Sequence, residues 1–208
     1  MRLIVVALLV SLAAAGCEED SPTSPGQGAP VIVAFGDSLT SGPGLRPDQT
    51  YPSLLQQRIA REGRDHRVVN AGVTGDTSTE AVRRFDAALV PGTKIVILAI
   101  GANDGLRGVP VGTVERNLST MIERAQARDI EVLLCQMDAP PLGGLSYTIE
   151  FHRIFTRLAE RYKVPLVPFF LIGLVGNGEW DLDDTLHPNA AGHRAIADTI
   201  WPHLRPML

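Results

Sequence analysis

Ser38 closes an apolar run, residues 31–35 followed by Gly36 and Asp37, and towards the other end of the chain Asp184 and His187 stand three residues apart. A serine displayed where a buried strand stops, with a carboxylate and an imidazole at its disposal, supplies the parts of an acyl-transfer site. The hydroxyl alone is a weak nucleophile and needs a base to take its proton as it attacks a carbonyl. His187 is the candidate base, because imidazole titrates near neutral pH and can return the proton to a leaving alcohol or thiol. Asp184 would hold one ring nitrogen and stabilise the imidazolium. His66, His152, His193 and His203 are read as surface or capping residues.

Elements able to position these groups are visible in the periodicity. Short continuous apolar runs occupy residues 31–35, 67–70, 94–100, 130–136 and 164–169, and the first and third are dense in Val and Ile. Runs of this kind predict strands covered on both faces, as in parallel sheets. Between them Val114, Leu118, Met121, Ile122 and Ala125 recur at helical spacing, as do Ala195, Ile196, Ile200 and Leu204. Asp76 or Thr77 could cap a helix running towards Val82 and Phe85, and Pro188 suits the first turn of the last helix. Strict alternation predicts an α/β fold, a three-layer doubly wound sandwich with about five parallel strands. Ligands of such sheets bind outside the carboxyl ends of the strands. Four polar segments should therefore meet at one edge: residues 36–39, 71–79, 101–104 and the stretch holding Asp184 and His187.

The chain has 208 residues, 45% hydrophobic and 20% charged, with a formal net charge of -4. Its Lys and Arg are scattered, so there is no basic stripe for a nucleic acid. Residues 1–16 read as an export signal: Arg2 precedes a short apolar stretch, too short for the roughly 20 residues of a comfortable span. Small residues leading into Cys17 resemble a bacterial lipobox, with Cys17 as the lipidated N-terminus of the mature chain. The alternative is simple cleavage after Ala15, leaving a free thiol. Residues 17–29, rich in Ser, Pro, Gly and acidic residues, read as a flexible tether, and residues 30–208 as one domain. The expected location is the periplasm or cell envelope, held to a membrane through the lipid. Cys135, within an apolar run, is read as core filling.

Taken in order, Gly36-Asp37-Ser38-Leu39, Gly75 within residues 70–77, Asn103 within Gly101-Ala102-Asn103-Asp104, and Asp184 with His187 resemble the four blocks of the GDSL or SGNH hydrolases. Residues 103–108 and 164–170 are further similar to the thioesterase, lysophospholipase and arylesterase members of that family. The resemblance implies a flavodoxin-like SGNH fold and a serine esterase. It also implies an oxyanion hole made by the backbone N–H groups of Ser38 and Gly75 and the side-chain amide of Asn103. Such donors must already be aimed at the oxygen on which charge develops, and a neutral amide suits that role where a carboxylate would repel the charge.

Asp37 and Asp104 could suggest a metal, but two carboxylates fit loop hydrogen bonding at least as well, and none is predicted. No cofactor is expected either, because the turn 72–75 has neither a Walker lysine nor a dinucleotide fingerprint. Leu106, Leu142 and Leu145 are the candidate apolar lining for a small-molecule or lipid ester, bound by a monomer. Two rival readings use the same residues differently: a carbohydrate O-acetylesterase with a polar groove, and a non-catalytic binding module.

Overall fold

Uninterrupted Val and Ile demand cover on both faces of a strand, and β1 (Val31–Gly36), β3 (Thr93–Ala99) and β4 (Glu131–Cys135) are buried almost throughout. The structure is a computed structural model describing residues 28–140, 144–168, 182 and 187–208. In it these strands join β2 (Arg67–Gly72) and β5 (Leu166–Val167) in a parallel five-stranded sheet of order β2-β1-β3-β4-β5. The helices are α1 (Ser38–Ser41), α2 (Tyr51–Arg61), α3 (Ser78–Ala88), α4 (Ala102–Arg107), α5 (Val111–Gln126), α6 (Leu145–Tyr162) and α7 (Ala190–Leu204). One layer is α3 against α5 against α6, and the other is α2 against α7. This is the doubly wound sandwich expected from the alternation. Cys17, Leu142 and Asp184 lie outside the described residues.

Strand order explains where the expected burial fails. The run 67–70 was expected to be covered on both faces, yet β2 is half-buried to exposed along its length, because it is an edge strand paired with β1 alone. Of the run 164–169, strand pairing extends only over Leu166–Val167 among the described residues. Pro165 and Pro168 bracket that pair, and proline has no N–H to lengthen a ladder. All five apolar positions of α5 are buried as the spacing required. Cys135 is buried in the core, which pushes its thiol pKa up.

Helix entries also sort out. Thr77 is the N-cap of α3, with Glu80 accepting hydrogen bonds from its backbone N–H at 3.0 Å and from its hydroxyl. Pro188 is not in the first turn of α7: it precedes the cap, Asn189, whose side-chain oxygen accepts from the amides of Ala191 at 2.8 Å and Gly192 at 3.1 Å. Asparagine displaces proline from the helix start because its side-chain oxygen satisfies two orphan donors at once.

His193, read as a surface or capping residue, caps from the interior. It is 1% exposed, and its Nδ1 accepts the Tyr51 backbone N–H at 3.0 Å, joining α7 to the start of α2. Only an imidazole without a proton on Nδ1 can accept this bond, and burial pushes its pKa down from 6.5 to about 4. With the folded value depressed, the stabilisation is full above the unfolded pKa and is lost as pH falls through the folded one. Between pH 6.5 and 4 the loss should amount to roughly 2–3 kcal/mol, at about 1.4 kcal/mol per unit. Urea unfolding of wild type and His193→Gln at a series of pH values should show the wild type losing ground across this window; a constant difference would contradict the assignment.

Candidate active site

Register brings three of the four polar segments together. Gly36 pairs with Gly72 on one side and with Ala99 on the other, so β1, β2 and β3 end level and release their loops side by side. The chain reverses direction across the sheet between β2 and β3, leaving a crevice at the β1/β3 boundary. Close packing at this edge excludes side chains: a Cβ on Gly72 would lie 2.2 Å from the backbone nitrogen of Ser41.

Ser38 is the first residue of α1 and is 8% exposed. Asp37 caps the helix: its carboxylate accepts from Leu39 N–H at 3.0 Å, and its carbonyl accepts from Thr40 at 3.1 Å and Ser41 at 3.0 Å. The Ser38 N–H, at a helix start, has no intrahelical acceptor. The other Asp37 carboxylate oxygen is buried without a partner among the described residues. Burial, helped by the nearby charges of Asp104 and Asp76, pushes this carboxyl up to about 7.

The turn carrying Gly75 is tied to α1 by side chains. Asn70 donates to the Thr40 carbonyl at 2.8 Å, Ser41 and Thr74 share a hydroxyl hydrogen bond of 2.9 Å, and Val73 N–H reaches the Gly36 carbonyl at 3.0 Å. Gly75 has φ +87°, which disfavours any residue with a Cβ, whereas a Cβ there would meet only the Arg107 guanidinium, at 3.9 Å. Glycine is required there for backbone conformation. Arg107 donates to its carbonyl at 3.0 Å and fixes the peptide orientation.

Asn103, half-buried on α4, directs its side-chain amide to the Asp76 carbonyl at 3.0 Å. One amide hydrogen is held there, and the other is oriented by it. Asp104 accepts from both the backbone N–H and the hydroxyl of Ser78 at 2.7 Å, locking α4 to the start of α3, and burial raises its pKa. Asp37 and Asp104 are thus both engaged in helix and loop hydrogen bonds.

His187 is half-buried, one residue before Pro188. Its carbonyl accepts from Leu182 N–H at 2.8 Å, so two residues flanking Asp184 are tied together. A Cβ on Gly44 would lie 3.3 Å from the Leu182 side chain, and a Cβ on Gly42 would lie 3.6 Å from the His193 ring. The entry to α7 therefore sits on the loop that follows Ser38. Leu106 and Leu145 are 40% and 71% exposed, on α4 and at the start of α6. Tyr147 of α6 ties down α4 and the turn after it, its hydroxyl 3.3 Å from the Asp104 carbonyl and 2.8 Å from the Val109 carbonyl.

Sequence reading gave no role to Arg84, whereas Arg107 and Tyr147 fall within the segments 105–111 and 139–147 expected to line the groove. For Arg84 there was a signal: a cation three residues after Ala81 and next to Phe85, on the face of α3 that buries those two residues.

Comparison with known proteins accords with this geometry. Esterase TesA of Pseudomonas aeruginosa is 38% identical over 181 residues, 86% of this chain and 90% of that protein. An arylesterase of Vibrio mimicus is 33% identical over 205 residues, 98% of each chain. The crystal structure of TesA superposes with a TM-score of 0.81 at 37% identity, covering 86% of this chain and 99% of the other. A model of the GDSL-like lipase/acylhydrolase family matches residues 34–195, and on these grounds the chain belongs to that family and is an ester-hydrolysing enzyme.

Proposed function

We propose that the enzyme hydrolyses carboxylic esters and thioesters through an acyl group carried on Ser38. The Ser38 oxygen attacks the carbonyl carbon while His187 takes its proton, and the N–H groups of Ser38 and Gly75 with the Asn103 amide receive the oxyanion. The bond to the leaving oxygen or sulfur then breaks, and His187 protonates that atom. Water attacks the acyl-serine, gives its proton to His187, and the carboxylic acid departs as that proton returns to Ser38. Asp184 holds the imidazole through both halves of the cycle.

The observation that carries this reading is the level ending of β1, β2 and β3, with Asn103 hydrogen-bonded to the residue after Gly75. An acyl or aryl substrate is favoured over a sugar by the rim. Among the described residues the exposed large hydrophobics are Val73, Leu106, Leu145 and Ile149, all on segments at the carboxyl edge or at the start of α6. We infer that Leu106, Leu142 and Leu145 line the groove. The test is a substrate series: p-nitrophenyl esters of increasing acyl length, an acyl thioester, a lysophospholipid and an acetylated xylo-oligosaccharide. Acyl esters should be turned over with far higher kcat/KM than the sugar ester. A preference for the sugar would favour the carbohydrate esterase, and a purified, folded protein inert towards all of them would indicate a binding module.

The proposed location rests on residues 1–17 alone. We propose that Cys17 is lipidated and holds the enzyme on the envelope membrane, since buried acyl chains contribute about 0.8 kcal/mol per methylene. Cys17→Ser should move the protein from the membrane pellet to the soluble fraction; retention in the pellet would end this idea. Among the described residues no helix is long and apolar enough to cross a membrane.

A further inference from the structure

Arg84, on α3, reaches back beneath the site and makes three charge-assisted contacts. Nε donates to the Asp76 carboxylate at 2.5 Å, one terminal nitrogen to the Ala71 carbonyl at 2.9 Å, and the other to the Gly36 carbonyl at 2.8 Å. Its guanidinium also stands 4.2 Å above the centre of the Phe35 ring, which meets Phe85 edge-to-face at 5.1 Å between ring centres. The planar fork is therefore held from below by stacking and satisfied at its rim by acceptors from three segments.

Each acceptor leads to an expected oxyanion donor. Gly36 immediately precedes Asp37, the cap that sets Ser38 at the start of α1. Ala71 is at the end of β2, four residues before Gly75. Asp76 follows Gly75 directly, and its carbonyl is the one that orients the Asn103 amide. We propose that Arg84 is the positioning residue of the oxyanion hole, one side chain that sets the spacing of all three donors without touching substrate.

This assignment rests on the proposed roles of Ser38, Gly75 and Asn103. Electrostatics supports it further. Asp76 is 9% exposed, near the fully buried carboxyl of Asp37, and Arg84 is its ion-pair partner. Losing the cation would leave an unpaired carboxylate beside a site where negative charge must develop.

The test compares Arg84→Gln, Arg84→Lys and Arg84→Ala with wild type and Ser38→Ala, measuring p-nitrophenyl butyrate kinetics and thermal midpoints. Arg84→Gln should lower kcat about 10- to 100-fold with KM nearly unchanged, since a misplacement of about 1 Å can have an effect of that size. Arg84→Lys should recover little, because an ammonium cannot span three acceptors in one plane. Added methylguanidinium should restore part of the kcat of Arg84→Ala, a response that loss of a purely structural residue would not produce. Wild-type kcat in Arg84→Gln, or a loss confined to KM, would overturn the assignment. If Arg84→Gln does not fold, Arg84→Lys and Asp76→Asn decide: both must lose kcat at a wild-type midpoint, and wild-type turnover in both defeats the proposal. Ser38→Ala separates the two levels of inference. If it is inactive while Arg84→Gln is fully active, only the role of Arg84 falls; if it is active, the catalytic assignment falls first.

Discussion

Ser38→Ala is expected to lose on the order of 10^5- to 10^6-fold in kcat for p-nitrophenyl acetate, while its thermal midpoint stays within a few degrees of wild type. The asymmetry follows from how α1 is built. Its capping depends on the carboxylate and carbonyl of Asp37, and the Ser38 carbonyl accepts from Gly42 N–H at 2.9 Å; none of these contacts uses the Ser38 hydroxyl. Removing one oxygen atom from a side chain at a sheet edge should therefore leave the fold in place and abolish the covalent path. His187→Ala should fall by a similar factor, and the double variant hardly further, because nucleophile and base act as a unit. An organophosphonate should add its mass to wild type at Ser38 and leave Ser38→Ala unmodified. Turnover by Ser38→Ala close to wild type, in protein free of other esterases, would sink the mechanism.

Asn103→Ala should lower kcat on the order of 100- to 1,000-fold with little change in KM, equivalent to about 2.7–4 kcal/mol of transition-state stabilisation. Its amide is preorganised before any substrate arrives, held by the Asp76 carbonyl at 3.0 Å. The donor thus needs little reorganisation when charge develops on the carbonyl oxygen. Asn103→Asp, nearly the same shape, should be no better: a carboxylate has no proton for the Asp76 carbonyl and repels the oxyanion. Steady-state kinetics of both variants, with circular dichroism as a check on folding, decide the matter. An Asn103→Ala enzyme within about five-fold of wild type would remove Asn103 from the oxyanion hole.

Much of the architecture could be read from local pattern, and the exceptions are instructive. Buried parallel strands produce continuous apolar runs, so β1, β3 and β4 were visible, as was the helix whose stripe runs from Val114 to Ala125. The run 67–70 looks similar but forms an exposed edge, since no local feature of Val68 or Val69 tells which strands will flank them. Thr77 and Asp76 were equal candidates for the cap of α3. The structure separates them because Arg84, eight residues beyond Asp76, engages its carboxylate. Arg84 escaped notice because two of its three acceptors are main-chain carbonyls, and every residue carries one of those.

Residue chemistry is covalent and local, and that is why the chain alone could identify a hydroxyl, an imidazole, a carboxylate and an amide in four ordered segments, and with them a family of serine esterases. Placement is collective. Only the assembled sheet made β2 an edge, levelled the ends of β1, β2 and β3, and buried His193 against Tyr51. The same assembly drew Gly36, Ala71 and Asp76 around one guanidinium. These relations depend on strand order and on contacts between distant segments, and they arise from packing that no single stretch of sequence encodes.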